Sequence, residues 1–382
     1  MSKELLTGSE AAAYGAKLAR IEVLAYYPIT PAFPAMERLS KFIDDGELLA
    51  RFIRVESDHS ALAAALGASL VGSRAFTVTN SQGLLYMTEV AYHVAGLRQP
   101  IVMAVANRAL SAPHSRFPEQ GDAISQGASG WIQLFCENNQ EVLDNTLQAF
   151  HIAETCSLPV MLNYEGYIQS HTLEEVDIPA QSEVDAFIPH KRQAALDVGN
   201  PQAINTVTGP DLYMSYKFNQ NEAMHQALNV IDTTAAAYAQ RFGREYAGVI
   251  ELDQMEDAEH AIVVMGSLVS ETRIAVKVLR ERGVKVGLVK VRAWRPFPAE
   301  KLRQALNRVE RVTVLDKNIV FGLGGALGTE VKSALFGFTG TKVYSYVLGL
   351  GGRDVGAEDV RKIVEQSAKE TEPQVVSQWY GL

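Results

Sequence analysis

Short runs of mostly apolar residues, each followed by a longer helical pattern, constrain this chain more than any other feature. Residues 21–27, 52–56, 75–79, 100–106 and 159–163 read as strands. A strand with one face in water alternates apolar and polar residues, whereas a strand covered on both faces does not. Between these runs, 57–71, 82–97 and 139–155 carry helical sequence, the first rich in small residues that permit close packing. Such alternation implies a parallel sheet with helices on both faces. We expect an α/β domain over 1–245, broken at about 171–208 by an irregular excursion. There Pro179, Pro189, Pro201 and Pro210 punctuate a polar stretch, which wraps over the domain or touches another subunit. Helical sequence resumes at 219–242. A second, smaller α/β domain is expected over 246–382. Its strands fall at 261–265, 284–291, 312–315 and 342–348, and its helices at 271–282, 299–309, 328–336 and 358–369.

The bulk properties narrow the function. The chain has 382 residues, 47% hydrophobic and 21% charged, enough for two or three well-cored domains. A formal charge of −9 disfavours a nucleic-acid partner or an anionic membrane surface. No signal pattern opens the chain, and no apolar run approaches the roughly 20 residues that cross a bilayer. A cytoplasmic location is therefore expected. Cys136 and Cys156 are too few and too far apart to hold an iron–sulfur cluster or a structural zinc. Buried, inert thiols are expected, no metal site is assigned to this chain, and any redox metal belongs to a partner.

In open parallel sheets, ligands bind beyond the carboxyl ends of the strands. Three groups fall there. Thr30 follows the first strand, at the position of a helix N-cap, with Pro31 at the first helical position, where a missing N–H is tolerated. Glu56-Ser57-Asp58-His59 closes the second strand and opens the Ala-rich helix. Asn107-Arg108 ends the 100–106 strand. If these strands are neighbours, a hydroxyl, a carboxylate and a guanidinium converge on one crevice. Arg108 can clamp a carboxylate with paired hydrogen bonds, or serve as a structural ion-pair partner. Asp58 can act as a proton acceptor, or only favour the helix N-terminus electrostatically. Asn80-Ser81-Gln82-Gly83 joins a strand to a helix and is polar where a cofactor can lie; a capped helix start explains it equally well. The glycine-dense run 321–328 lacks the third glycine of a dinucleotide fingerprint, because position 327 is leucine. It reads as a tight, closely packed turn. No Walker A pattern and no Gly-x-Ser-x-Gly elbow occur.

The same residues carry a family resemblance that spans nearly the whole chain. The ordered motifs are Tyr27-Pro28-Ile29-Thr30-Pro31, Glu56-Ser57-Asp58-His59-Ser60-Ala61, Ser81-Gln82-Gly83-Leu84 and Ala106-Asn107-Arg108-Ala109-Leu110-Ser111. Gly130-Trp131-Ile132-Gln133, Asn139-Gln140-Glu141, Arg295-Pro296-Phe297-Pro298 and Gly349-Leu350-Gly351-Gly352-Arg353-Asp354 follow. The chain resembles the alpha subunit of the 2-oxoacid:ferredoxin oxidoreductases, the pyruvate:ferredoxin oxidoreductase family. The resemblance implies a thiamine-diphosphate-binding-type domain followed by a transketolase C-terminal-like domain. It implies oxidative decarboxylation of a 2-oxoacid to an acyl-CoA and carbon dioxide, with coenzyme A as co-substrate.

The chain carries only part of the implied site. A beta subunit would supply the diphosphate end with Mg2+. Gamma and ferredoxin-like delta subunits would complete the [4Fe-4S] electron path to ferredoxin or NAD, in a dimer of heteromers. Thr30 resembles the family threonine that hydrogen-bonds substrate, and Arg108 the arginine that binds its carboxylate. Asp58 stands where the family has a glutamate that shares a proton with the thiamine aminopyrimidine. The shorter side chain leaves Glu56 as a rival for that role. It also keeps open a non-catalytic interaction subunit. Ser81 and Gln82 are further cofactor-side candidates, and Asn107 and His114 further substrate-side ones. The 113–120 stretch, with His114, Arg116 and Phe117, suggests either a subunit-contact loop or a pocket for pyruvate or a bulkier 2-oxoacid such as phenylglyoxylate.

Overall fold

The computed structural model describes residues 2–189, 195–197, 199–205, 207–337 and 340–382, so parts of the 171–208 stretch lie outside the described residues. β1 (Ser2–Leu6) leads into α1 (Gly8–Leu18). The Thr7 hydroxyl accepts from the Glu10 N–H at 3.2 Å and the Glu10 carboxylate accepts from the Thr7 N–H at 3.0 Å, a reciprocal cap that fixes where the helix starts. β2 (Val23–Tyr26) is followed by α2 (Phe33–Asp44), β3 (Arg51–Arg54) by α3 (Asp58–Leu70), and β4 (Ala75–Thr79) by α4 (Ser81–Tyr86) and α5 (Thr88–Gly96). β5 (Val102–Asn107), α6 (Gly121–Ile124), β6 (Ile132–Phe135), α7 (Asn139–Cys156) and β7 (Val160–Glu165) complete the alternation.

Strands β6, β7, β5, β4, β2 and β3 lie side by side in that order, all parallel. Every residue of β2, β4, β5, β6 and β7 is buried, which is why these strands read as runs rather than alternations. Leu39, Phe42, Leu143 and Phe150 cover one face; Ala61, Leu62, Leu84 and Val90 cover the other. Helix α1 approaches α7 so closely that a Cβ on Gly15 would meet Thr146 Cβ at 2.6 Å.

The expected irregular excursion is in part regular. β8 (Glu174–Ile178) pairs antiparallel with β1, and α8 (Gln181–Phe187) follows it. Val176 and Ile178 alternate inward, but the partner strand is at the other end of the domain in sequence, and no local pattern reveals that pairing. α9 (Pro210–Phe242) starts at Pro210 rather than at 219, with its proline in the first turn.

The second sheet contains β9 (Ile250–Asp253), β10 (His260–Val264), β11 (Val286–Val291), β13 (Arg311–Asp316), β14 (Lys342–Val347) and β15 (Gln378–Trp379). α10 (Leu268–Glu281), α11 (Ala299–Leu306), α12 (Ala326–Ala334) and α13 (Ala357–Lys369) connect them. The strand order is β15-β14-β13-β10-β11-β9, parallel except for β9. The two sheets are stitched together. β12 (Ala293–Arg295) pairs antiparallel with β6 at the edge of the first sheet. Lys290 of β11 sends its ammonium among Glu137 at 2.8 Å, Glu141, and Glu251 at 3.4 Å. Those three carboxylates have metal-ligand spacing, and the buried lysine supplies the cation between them. Arg292 donates to Asn145 Oδ1 and Gln148 Oε1, both at 2.7 Å.

The glycine-dense run before α12 is a tight turn around a buried acid of this chain. Asp316 accepts the Leu327 and Gly328 N–H groups at 2.9 Å, and a Cβ on Gly325 would lie 2.2 Å from its carboxyl. Burial raises the Cys136 thiol to about 12 and the Cys156 thiol to about 11, so both are unreactive near neutrality. Among the described residues no helix is long and apolar enough to cross a membrane.

Candidate active site

In the first sheet the chain places β3 on one side of β2 and β4 on the other, so strand order reverses between β2 and β4. A ligand crevice is expected outside the carboxyl ends at that reversal. The loop after β2, the start of α3, the β4–α4 junction and the end of β5 all reach it.

Arg108 is the hub. Its side chain is largely buried, with Nη1 donating to the Thr30 carbonyl and Nη2 to Gln82 Oε1 at 3.2 Å. Nε is buried with no partner among the described residues. Burial lowers the guanidinium pKa from its ordinary value, opposed by the charge of Asp122. It still remains a cation, because arginine does not deprotonate in proteins. A desolvated cation with unused donors favours an anion.

Thr30 is joined to Arg108, but not as a helix cap. α2 begins at Phe33 with Ala32 at its N-cap, no side chain caps it, and Pro34 rather than Pro31 lies in the first turn. Pro31 is instead a packing residue: a Cβ on Gly166 would meet Pro31 Cγ at 2.6 Å. That tertiary contact overrides the local cap signal and leaves Thr30 exposed at the crevice with its carbonyl on Arg108.

Asp58 and Glu56 separate cleanly. Asp58 is the first residue of α3, 4% exposed, and accepts the Thr79 hydroxyl on Oδ1 at 2.8 Å. Burial raises its carboxyl pKa; the Thr79 hydrogen bond opposes the rise without cancelling it. Glu56 is exposed and turns back to Ser60 and Ser57, and the Ser60 hydrogen bond lowers its pKa. Gly83 explains why the Ser81-Gln82-Gly83 turn fits over Asp58: a Cβ there would lie 2.6 Å from the Asp58 carboxyl and from Thr79 Oγ1. Ser81 is buried at φ 48°, and its hydroxyl lies 2.6 Å from Gln82 Oε1 and 2.7 Å from the Ala109 carbonyl.

Asn107 and His114 lie apart from this group. Asn107 is fully buried and donates to Asp122 Oδ1 at 2.9 Å and Asn163 Oδ1 at 3.2 Å, so it sits beneath the crevice rather than on its wall. His114 is exposed, 3.2 Å from Ser111 Oγ, with no bond to Arg108 or Thr30. Its loop rests on the second sheet's unit, where the Gly352 N–H donates to the Pro118 carbonyl at 3.0 Å. Sequence reasoning missed Thr79, Asp122 and Tyr167. Tyr167, at φ 61°, stacks on His171 at 4.6 Å and lies 5.5 Å from Phe117. A polar residue closing a buried strand, as Thr79 does after Thr77, was the one available signal.

Known proteins share this architecture. Residues 14–236 match the family model for the pyruvate flavodoxin/ferredoxin oxidoreductase thiamine-diphosphate-binding domain, and residues 258–360 match pyruvate:ferredoxin oxidoreductase core domain II. The chain belongs to this family. Pyruvate synthase subunit PorA of Methanothermobacter thermautotrophicus is 44% identical over 100% of this chain and 99% of its own length. Ketoisovalerate oxidoreductase subunit VorA of Pyrococcus horikoshii is 41% identical over 100% and 98%. Among solved structures, a 2-oxoglutarate:ferredoxin oxidoreductase from Magnetococcus marinus superposes with a TM-score of 0.74 at 18% identity, covering 96% of this chain and 65% of that one. A split-gene transketolase gives a TM-score of 0.54 at 14% identity, covering 95% and 98%. The fold is accordingly a thiamine-diphosphate-binding domain followed by a transketolase C-terminal-like domain.

The residues at the crevice fit part of a thiamine diphosphate site. Asp58 is a buried carboxyl with raised proton affinity, the chemistry needed opposite a basic ring nitrogen. The Asn80 side chain is fully buried at the same junction, and neither of its polar atoms has a partner among the described residues. Buried polar groups are normally bonded, so these orphans fit a site completed by a ligand.

Proposed function

We propose that this chain is the alpha subunit of a 2-oxoacid oxidoreductase and forms the substrate wall and the aminopyrimidine side of its thiamine diphosphate site. The observation that carries this reading is Arg108, a buried cation whose Nε has no partner among the described residues, at the same strand-end crevice as Asp58, a buried carboxyl of raised proton affinity. Relatives at 41–44% identity are named for pyruvate and ketoisovalerate, which supports a short aliphatic 2-oxoacid as substrate class, pyruvate first. The remaining parts come from partners. A beta subunit holds the diphosphate and Mg2+, and gamma and ferredoxin-like delta subunits carry [4Fe-4S] clusters toward ferredoxin, with coenzyme A accepting the acyl group.

The chain's own residues have distinct tasks. Arg108 binds the substrate carboxylate with paired N–H donors and keeps it oriented until it leaves as carbon dioxide. Thr30 presents a hydroxyl at the mouth of the crevice. Asp58 would hold a proton at its carboxyl for a basic ring nitrogen of the cofactor, while Thr79 fixes which way that carboxyl points. Thiamine diphosphate, when bound there, would supply a nucleophilic carbon and a sink for the electron pair of the bond broken in decarboxylation. An ordered, buried carboxyl, held by Thr79 and covered by the one residue without a Cβ, supports a retained function despite aspartate standing in place of glutamate.

The test is turnover by the co-purified complex on pyruvate, 2-oxoisovalerate, 2-oxoglutarate and phenylglyoxylate. Coenzyme-A-dependent oxidation that stops when thiamine diphosphate is removed is expected. No turnover on any 2-oxoacid, with the cofactor bound and clusters intact, would overturn the reading in favour of a non-catalytic subunit.

A further inference from the structure

Asp122 lies in α6, directly behind the crevice, and is fully buried. Its Oδ2 accepts the backbone N–H of Ser81 at 2.8 Å and that of Arg108 at 3.0 Å. Its Oδ1 accepts from Asn107 Nδ2 at 2.9 Å and the Ala123 N–H at 2.8 Å. Burial raises its pKa and these hydrogen bonds oppose the rise; all four partners are donors, so the ionised carboxylate is the form that satisfies them together. One oxygen thus ties the carboxyl ends of two adjacent strands, β4 and β5, to a single point.

The tie is not redundant. Ser81 sits at φ 48°, a left-handed conformation that is unfavourable for a non-glycine residue and persists only where its surroundings hold it. Asp122 holds its N–H, and the Ala109 carbonyl lies 2.7 Å from its hydroxyl. The Ser81 hydroxyl also meets Gln82 Oε1, which accepts from Arg108 Nη2. The contacts therefore close a ring: Asp122 to Ser81, to Gln82, to the Arg108 guanidinium, and through the Arg108 backbone to Asp122 again. Arg108 is gripped at both ends, and one of those grips is shared with the turn that covers Asp58.

From this ring we propose that Asp122 is a positioning residue of the site. It sets the substrate-binding arginine and the cofactor-side turn relative to each other through one buried carboxylate. The inference rests on the reading of Arg108 as the substrate carboxylate's partner. Asp122 touches neither substrate nor cofactor in this scheme, and it acts on the 2-oxoacid only through Arg108.

The test uses the assembled complex with pyruvate, or whichever 2-oxoacid it turns over best. Asp122→Asn preserves volume but puts an NH2 group against donors whichever way the amide turns. A displacement approaching 1 Å at Arg108 corresponds to a loss of about 10- to 100-fold in kcat/KM, carried mainly by KM for the 2-oxoacid. Arg108→Lys is measured alongside, and so is the double variant. Acting through Arg108, the Asp122 change adds less than about threefold once Arg108 is lysine. Should Asp122→Asn fail to assemble, Asp122→Ser, with room for a bridging water, takes its place in the same cycle. An unchanged 2-oxoacid KM with only a lower melting temperature would overturn the positioning role and leave Arg108's role standing. So would full additivity in the double variant. Unchanged kcat/KM for Arg108→Lys would overturn the Arg108 reading and the positioning role with it.

Discussion

Replacing Arg108 with alanine gives a prediction whose size follows from the hydrogen-bond count. A guanidinium has five N–H donors, and here one goes to the Thr30 carbonyl and one to Gln82 Oε1. The buried Nε–H has no partner among the described residues, so a carboxylate can still take two bonds from the fork. Charge-assisted hydrogen bonds contribute about 1.5–2 kcal/mol each at the lower end of their range, or about 3–4 kcal/mol for the pair, a fall of about 100- to 1,000-fold in kcat/KM. The backbone N–H of residue 108 survives the change and keeps its bond to Asp122, so the strand end stays in place. The assay is initial-rate oxidation of the 2-oxoacid by the assembled complex, with thiamine diphosphate content measured on the same preparation. Full cofactor occupancy with kcat/KM reduced by this amount is expected. An unchanged kcat/KM would refute the reasoning, and so would a loss that merely follows loss of bound cofactor.

Two further outcomes follow from particular contacts. Gly83→Ala drives a methyl group to 2.6 Å from the Asp58 carboxyl and Thr79 Oγ1, so thiamine diphosphate affinity should fall at least about tenfold and the melting temperature should drop as well; calorimetric titration of the apo-complex checks the first. Glu119 provides a pH dependence: burial, reinforced by the charge of Asp122 and opposed by the Gly351 N–H, raises its carboxyl to about 7 from 4.5. A raised carboxyl stabilises the fold fully below 4.5 and loses that contribution as pH climbs through 7, so the wild type should lose melting temperature relative to Glu119→Gln between pH 5 and pH 8. A difference that stays flat over that window would remove Glu119 from the account.

Much of the first sheet was legible because burial on both faces writes itself as apolar runs, as in β4, β5 and β7. Arg108 and Asp58 were legible because polar residues that end such runs have few places to point. The errors have physical causes. Thr30 followed by Pro31 is a sound local cap, but packing of Pro31 against Gly166 moved the helix start to Phe33. The β1–β8 pairing and the transfer of β12 to the edge of the first sheet depend on segments distant in sequence. Asp122 and Thr79 escaped notice because their meaning lies in which backbone and side-chain donors they meet, and spacing along the chain does not encode that. The family motif favoured Asp58 over Glu56, but which of the two faces inward is a matter of the folded helix start that spacing does not encode.

Asp58 is proposed as the proton-holding carboxyl that this chain contributes to a shared thiamine diphosphate site. Hydrogen–deuterium exchange at the thiazolium carbon of thiamine diphosphate bound in the assembled complex reports on it before any substrate is present. The Asp58→Asn side chain is nearly the same size but cannot pass a proton, so exchange should slow by at least about 100-fold with the cofactor still bound. Glu56→Gln should exchange at the wild-type rate. Wild-type exchange in Asp58→Asn would contradict the account.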